Sequence, residues 1–242
     1  HLLHAALDKV VGEHARQAGS LVAPDHLRFD FTHNQPLTEQ ELKQVEEEVN
    51  RRIMEDHTLQ ITHKPLQKAI DEGARALFGE KYGDVVRTIK MGDFSYELCG
   101  GTHCERSSDV GLFLITGESS AAAGIRRIVA VTGRDAYRLV QSRFDELKTA
   151  AQYLSTGPDQ VASHVSSLLE LQKSAEKSRD KVSRKLALLE LTQALDDMKS
   201  IGEIHLLTQI LEDTDLDTMR LVADRFRQQV PENGVVVLGA VI

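Results

Sequence analysis

The sequence reads as an α+β protein: a domain with a largely antiparallel sheet and flanking helices, then a long antiparallel helical hairpin and a partial small α/β domain. Three observations predict this. Residues 1–133 mix strand-like and helix-like patterns without strict alternation. After Gly133 the apolar spacing settles into steps of three and four. From Ile201 a strand pattern, a helix pattern and a second strand pattern follow in turn. The expected domains are therefore 1–133, 134–200 and 201–242.

Taken in order, "HLLHAALDKVVGEHARQA" (1–18) carries Leu3, Leu7, Val10, Val11 and Ala18 at helical spacing and predicts an amphipathic helix stopped by Gly19. "LRFDF" (27–31) alternates apolar and charged residues as a half-buried strand does. Thr38 and Glu41 form a capping box that opens a helix to about Asp56. "HTLQITHKP" predicts a strand, and Pro65 suits the first turn of a short helix to about Phe78. "VVRTIKMG", "FSYEL", "VGLFLITGE" and "IRRIVAVTG" predict four more strands.

The next segment spaces Tyr137, Val140, Phe144, Leu147, Ala151 and Leu154 for a helix, and Gly157-Pro158 interrupts it. Val161, Val165, Leu168, Gln172, Ala175, Arg179, Val182, Leu186 and Leu189 then form a heptad seam whose polar members, Gln172 and Arg179, serve register. Two such segments around a Gly-Pro turn predict an antiparallel hairpin. "GEIHLLTQIL", "LDTMRLVADRFRQQV" and "GVVVLGAVI" predict strand, helix and strand. The chain opens on a histidine inside a helical pattern and stops on an apolar strand, so a fragment of a longer protein is expected.

Composition narrows the function. Formal net charge is −8 with a pI near 5.7, which argues against a general phosphate-backbone binder. Local basic groups remain at Arg126-Arg127 and at Arg179, Lys181, Arg184 and Lys185, each readable equally as a solvated face. No apolar run reaches the roughly 20 residues of a membrane span. The two cysteines, Cys99 and Cys104, give no disulfide framework, which points to the cytosol.

The chemistry concentrates in "ELCGGTHCE" (97–105). A thiolate at Cys99 and an imidazole at His103 on one tight turn can reach a single zinc ion, with Gly100 and Gly101 supplying positive φ. Two further donors are needed, and two segments compete: His1 and His4 of "HLLH", or His57 and His63 of "HTLQITH". The pair reads equally as a small buried thiol beside a hydrogen-bonded loop histidine. A catalytic Cys–His dyad is disfavoured because turn neighbours rarely offer a line of attack. Cys104 is expected to point away and pack.

"HLLHAALDKVVGEHARQAGSLVAPDHLRFDF", then "FSYELCGGTHC" and "AAAGIRRIVAVTG", resemble the editing domain of the bacterial alanyl-tRNA synthetase family, and the later segments resemble the linker and C-terminal domain of that family. The resemblance implies a zinc ion held by a His-x₃-His pair and a Cys-x₃-His pair. The second pair corresponds to Cys99 and His103, the first ends at His1, and its partner falls four residues upstream. Each missing ligand weakens the metal. His4 matches no ligand and is expected to face the pocket or its neighbours.

The resemblance also implies hydrolysis of Ser-tRNA(Ala) or Gly-tRNA(Ala). One small group is worth only about 1–3 kcal/mol of discrimination, so a synthetic site for alanine needs a second sieve. Zinc would act as orienter and electrostatic stabiliser, with water as nucleophile. Gln17 and Ser20, in "RQAGS", match the segment lining the family's pocket; helix-end capping around Gly19 is their other reading. Gln17 and Thr102 are the candidate catalytic residues, and Thr102 serves equally to fix its turn. Asp30 is the candidate for orienting a ligand histidine. Arg126 and Arg127 are candidates for the tRNA 3′ end, and on a strand they face opposite sides. The resemblance implies tRNA(Ala) as partner and a homodimer through the C-terminal region. A non-catalytic tRNA-binding and oligomerisation module, or a free-standing editing protein, are the alternatives.

Overall fold

A computed structural model describes residues 1–76, 82–212 and 214–241. The chain forms two compact units, His1–Glu146 and Leu147–Ile242, in the α+β architecture expected. Among the described residues no helix is long and apolar enough to cross a membrane.

The first unit opens with α1 (Leu2–Val10), which buries Leu3, Ala6 and Leu7. The helix ends well before Gly19. Gly12 takes φ 120°, and its N–H reaches back to the Leu7 carbonyl, which terminates the helix there. Residues expected in its last turns instead form β1 (Gln17–Val22), which pairs antiparallel with β2 (Leu27–Thr32). Thr38 then caps α2 (Glu39–Met54) with the reciprocal bonds expected: its Oγ1 accepts from Glu41 N at 3.2 Å while its own N–H donates to Glu41 Oε2 at 2.8 Å.

β3 (Leu59–Pro65) runs into α3 (Leu66–Asp71), which stops at Gly73, φ 90°. Phe78, where this helix was expected to end, lies outside the described residues. β4 (Val85–Met91), β5 (Ser95–Leu98), β6 (Phe113–Ala122) and β7 (Ile125–Thr132) follow. Two sheets result, with strand orders β1-β2-β7-β6 and β3-β4-β5, and every pairing in them is antiparallel. Leu3 and Leu7 of α1 pack with Val45, Val49 and Ile53 of α2 and Phe29, Phe31 and Ile128 of the larger sheet. That core is what fixes the start of α1, and so His1, in place.

α4 (Gly133–Tyr153) crosses the boundary between the units, and α5 (Val161–Asp196) belongs to the second. The break falls at Gly157-Pro158, where Pro158 opens a short 3₁₀ turn. The expected heptad seam is exposed at Val165, Leu168, Val182, Leu186 and Leu189. α5 instead buries Ala187 and Leu191, against Leu207, Leu211, Val222 and Phe226. The reason is local: β9 (Ile204–Glu212), α6 (Leu216–Gln229) and β10 (Gly234–Val241) offer α5 a continuous apolar face within its own unit. β9 pairs parallel with β10 and antiparallel with β8 (Lys199–Ile201), which is the small α/β arrangement predicted. Ile242 lies outside the described residues.

Candidate metal centre

The first turn of α1 and the turn after β5 meet. One ligand atom from each of His1, Cys99 and His103 lies within 4.8 Å of the other two. His1 Nε2 is 2.9 Å from His103 Nε2, across 102 positions of sequence, and the two rings stack with centroids 5.0 Å apart. Of the two competing histidine segments, it is "HLLH" that lies against the Cys99–His103 turn. His57 bonds Glu55 and packs edge-on against Phe94, and His63 is exposed on β3.

The glycines act differently from expectation. Neither Gly100 nor Gly101 takes positive φ. A Cβ on Gly101 would sit 3.6 Å from Cys99 Sγ and 4.0 Å from His103 Cε1, so its absence keeps open the space beside the donors. Cys104 is exposed rather than packed, because the turn faces it outward. Thr102 is also exposed.

Two residues that the sequence reading did not single out organise the site. Arg87, on β4, sends Nη1 to the carbonyls of Cys99 (2.9 Å) and Gly101 (2.7 Å) and lies 3.3 Å from His103 Nδ1. It ties the turn to the sheet. Glu97, on β5, accepts from His1 Nδ1 at 2.6 Å through Oε2 and meets His4 Nδ1 at 3.1 Å through Oε1. Their visible signals were one of two cations in the otherwise mostly apolar strand Val85–Met91 and a lone acid two residues before the thiol.

The electrostatics follow from that geometry. Burial opposes the charge on His1, but the hydrogen bond and negative charge of Glu97 outweigh it and raise the imidazole pKa. Burial likewise works against the Glu97 carboxylate, and the bonds from His1 and His4 overcome it and hold the carboxyl low. His103 is shifted down, by its own burial first and then by the charges of His1 and Arg87. The cluster thus holds one imidazole that favours a proton and one that resists it.

The donor set fits zinc. Bonds of about 2.0 Å to nitrogen and 2.3 Å to sulfur in a tetrahedron put donors roughly 3.3–3.8 Å apart, so His1 and His103 need separate by only a few tenths of an ångström. His1 already turns Nδ1 to a carboxylate and Nε2 to the cluster, the orientation of a ligand histidine.

The remaining candidates sit elsewhere in the unit. Gln17 and Ser20 lie on β1, bonded to each other at 3.1 Å, so helix-end capping is not their role. Asp30 binds Arg127 with both oxygens, at 2.7 and 2.8 Å, and the carboxylate against a ligand histidine is Glu97 instead. Arg126 is held as tightly, by Glu118 at 2.5 and 2.6 Å. The two arginines turn to different partners, as strand alternation requires.

Residues 86–129 match the family described as the threonyl and alanyl tRNA synthetase second additional domain. Along nearly its whole length the chain is also similar to alanine–tRNA ligases: 41% identical over 240 residues to that of Alkaliphilus oremlandii, and 42% over 242 residues to that of Clostridioides difficile. The chain's sequence matches that of a fragment of an alanyl-tRNA synthetase. The alignment with the Stenotrophomonas maltophilia enzyme, 42% over 240 residues, covers 99% of the chain. In each case the chain spans 27% of the relative's length. The likeness gives the convergence of His1, Cys99 and His103 a chemical context, since both the match at 86–129 and the Cys99–His103 turn fall in the first unit.

Proposed function

We propose that residues 1–133 form an aminoacyl-tRNA editing hydrolase that cleaves the ester of Ser-tRNA(Ala) or Gly-tRNA(Ala), with 134–200 as helical linker and 201–242 as the start of a C-terminal domain. The observation that carries this reading is the meeting of His1, Cys99 and His103 at one point in a chain with this likeness. Zinc held there would polarise the ester carbonyl and stabilise the charge that develops on its oxygen, while water attacks. The chain's own residues do the rest. His1, Cys99 and His103 hold the ion, Arg87 fixes the turn that carries two of them, and Gly101 leaves room for the substrate's ester. Gln17 and Ser20, a bonded polar pair on β1, are assigned to the amino-acid moiety, where a hydroxyl acceptor distinguishes serine from alanine. Thr102, exposed beside His103, is assigned to the reacting end.

This reading takes tRNA(Ala) as partner. It places a homodimer contact on the second unit's sheet, where Ile204, Ile210, Val235 and Val237 are exposed on one face. Two free cysteines suit a reducing cytosolic setting. The experiment is serine release from Ser-tRNA(Ala), with Ala-tRNA(Ala) as control, before and after chelation. Faster release of serine, lost on chelation and restored by zinc, is the expected result. tRNA bound but mischarged ester left intact at saturating zinc, here and in a chain extended upstream of His1, would establish the non-catalytic module instead.

A further inference from the structure

Glu97 is 3% exposed and is the only carboxylate buried in the core among the described residues. Its environment differs from that of the other well-paired acids. Asp30 and Glu118 each face an arginine, whose Nε and Nη2 bond one oxygen apiece. Glu97 instead takes two imidazoles, His1 on Oε2 at 2.6 Å and His4 on Oε1 at 3.1 Å. Positions three apart on a helix share a face, so α1 presents both rings to the same carboxylate. His4 is itself buried, 5% exposed, with its ring against Phe29. With each oxygen held by a separate ring, the carboxylate cannot turn without breaking one bond.

We infer that Glu97, braced by His4, is a positioning residue for the metal centre. It accepts the Nδ1 proton of His1 and so leaves Nε2 of that ring aimed at Cys99 and His103. An imidazole is a poor choice for a permanent ion pair, because it titrates near neutrality. It is a good choice where one nitrogen must be anchored and the other must bind. The 2.9 Å hydrogen bond between His1 Nε2 and His103 Nε2 shows which side faces the other donors. A carboxylate behind a ligand histidine sets the ring's tautomer and orientation, and removing such a partner weakens metal binding by about 10–100-fold.

This inference rests on the zinc reading above. The test uses Zn²⁺ and Co²⁺ as probes of the whole chain, with affinity from chelator competition and geometry from the cobalt spectrum. Glu97→Gln presents an amide that satisfies at most one of the two rings in its present tautomer. It is expected to weaken zinc by 10–100-fold and to alter the thiolate–cobalt bands. His4→Phe, which removes only the brace, is expected to weaken zinc by roughly tenfold, the low end of that range. A merely structural glutamate would lower the melting temperature of the metal-free protein but leave affinity and spectrum unchanged, and that result overturns the inference. If Glu97→Gln fails to fold, His4→Phe decides by the same two readouts. Absence of zinc binding by the unaltered chain overturns the metal centre as a whole, and this inference with it.

Discussion

On β7 and its neighbours, Arg126 and Arg127 each meet one carboxylate with two nitrogens, Glu118 and Asp30 respectively. Where α1 meets β5, a single carboxylate, Glu97, meets two imidazoles, and one of these continues into a cluster with Cys99 and His103. The Asp30–Arg127 pair and the Glu97 cluster join segments distant in sequence, whereas Arg126 and Glu118 are only eight residues apart, and all look like ion pairs in a bare inventory of charges. They differ in what is left over. The arginine forks are closed on one carboxylate each, with both of its oxygens bonded. The imidazole arrangement is open, since His1 Nε2, Cys99 Sγ and the His103 ring converge on a shared point. Residues with spare, convergent bonding capacity are where function is to be sought, and charge alone does not locate them.

The sharpest break in that comparison is removal of a convergent donor. Cys99→Ala is expected to abolish stable zinc binding and lower deacylation of Ser-tRNA(Ala) by about 10³-fold, roughly 4 kcal/mol of barrier. Cys104→Ser, five residues on and exposed, is expected to change neither. Zinc stoichiometry and serine release measured side by side check both. Equal losses in the two variants would mean that the thiols act through the turn's shape rather than as a ligand.

Next in size is the support beneath the open cluster. Leu7 is fully buried under α1, and Leu7→Ala is expected to destabilise the chain by about 3 kcal/mol. Saturating zinc should recover part of this loss, because the ion would clamp the start of α1 to the turn after β5. Urea unfolding with and without metal reads both quantities. No recovery would show that α1 and the turn are not joined through the ion.

How much of this was legible follows from the same contrast. The strands between Val85 and Thr132 announced themselves as strand-like segments separated by glycine-containing breaks, and the Thr38 cap by its reciprocal spacing with Glu41. The Cys99–His103 pair was visible because thiol, glycines and imidazole are adjacent in sequence. The end of α1 was misplaced because Gly12 and Gly19 look alike on paper, and only Gly12 takes positive φ. Glu97 escaped notice because a strand glutamate faces water unless something distant covers it, and here α1 brings both histidines onto it. Asp30 was expected to orient a ligand histidine for want of knowing that Arg127 stands opposite it across the β2–β7 ladder. Long-range pairing decided the last two misses, and local backbone geometry the first.

The closed side of the comparison yields a smaller effect. Arg126→Ala leaves the little-exposed Glu118 without its partner, and is expected to lower stability by about 1 kcal/mol and the melting temperature by about 2–4 °C. Zinc affinity should stay unchanged, because neither residue joins the donor cluster. Loss of zinc together with stability would move Arg126 from the closed system to the open one.

The smallest expected effect lies behind the open cluster, where α2 holds α1. Glu48 binds Lys9 of α1 at 2.9 Å, Arg52 at 2.8 Å and Arg51 at 2.6 Å, so one carboxylate ties the helix carrying His1 to its neighbour. Burial pushes this carboxyl up, but the bonds from Arg51, Lys9 and Arg52 outweigh it and hold it down at about 2, from an ordinary 4.5. A carboxyl lowered on folding stabilises fully above its unfolded value, and that contribution fades as pH falls from about 4.5 through about 2. Its cations are partly in water, so screening reduces the effect to roughly 0.5–1 kcal/mol at neutral pH. Glu48→Gln should therefore unfold at lower urea than the unaltered chain at pH 7, and the gap should close by pH 2. A gap that persists at pH 2 would mean that glutamine fits the packing of α1 on α2 poorly, and that charge contributes little to holding the helix behind His1 in place.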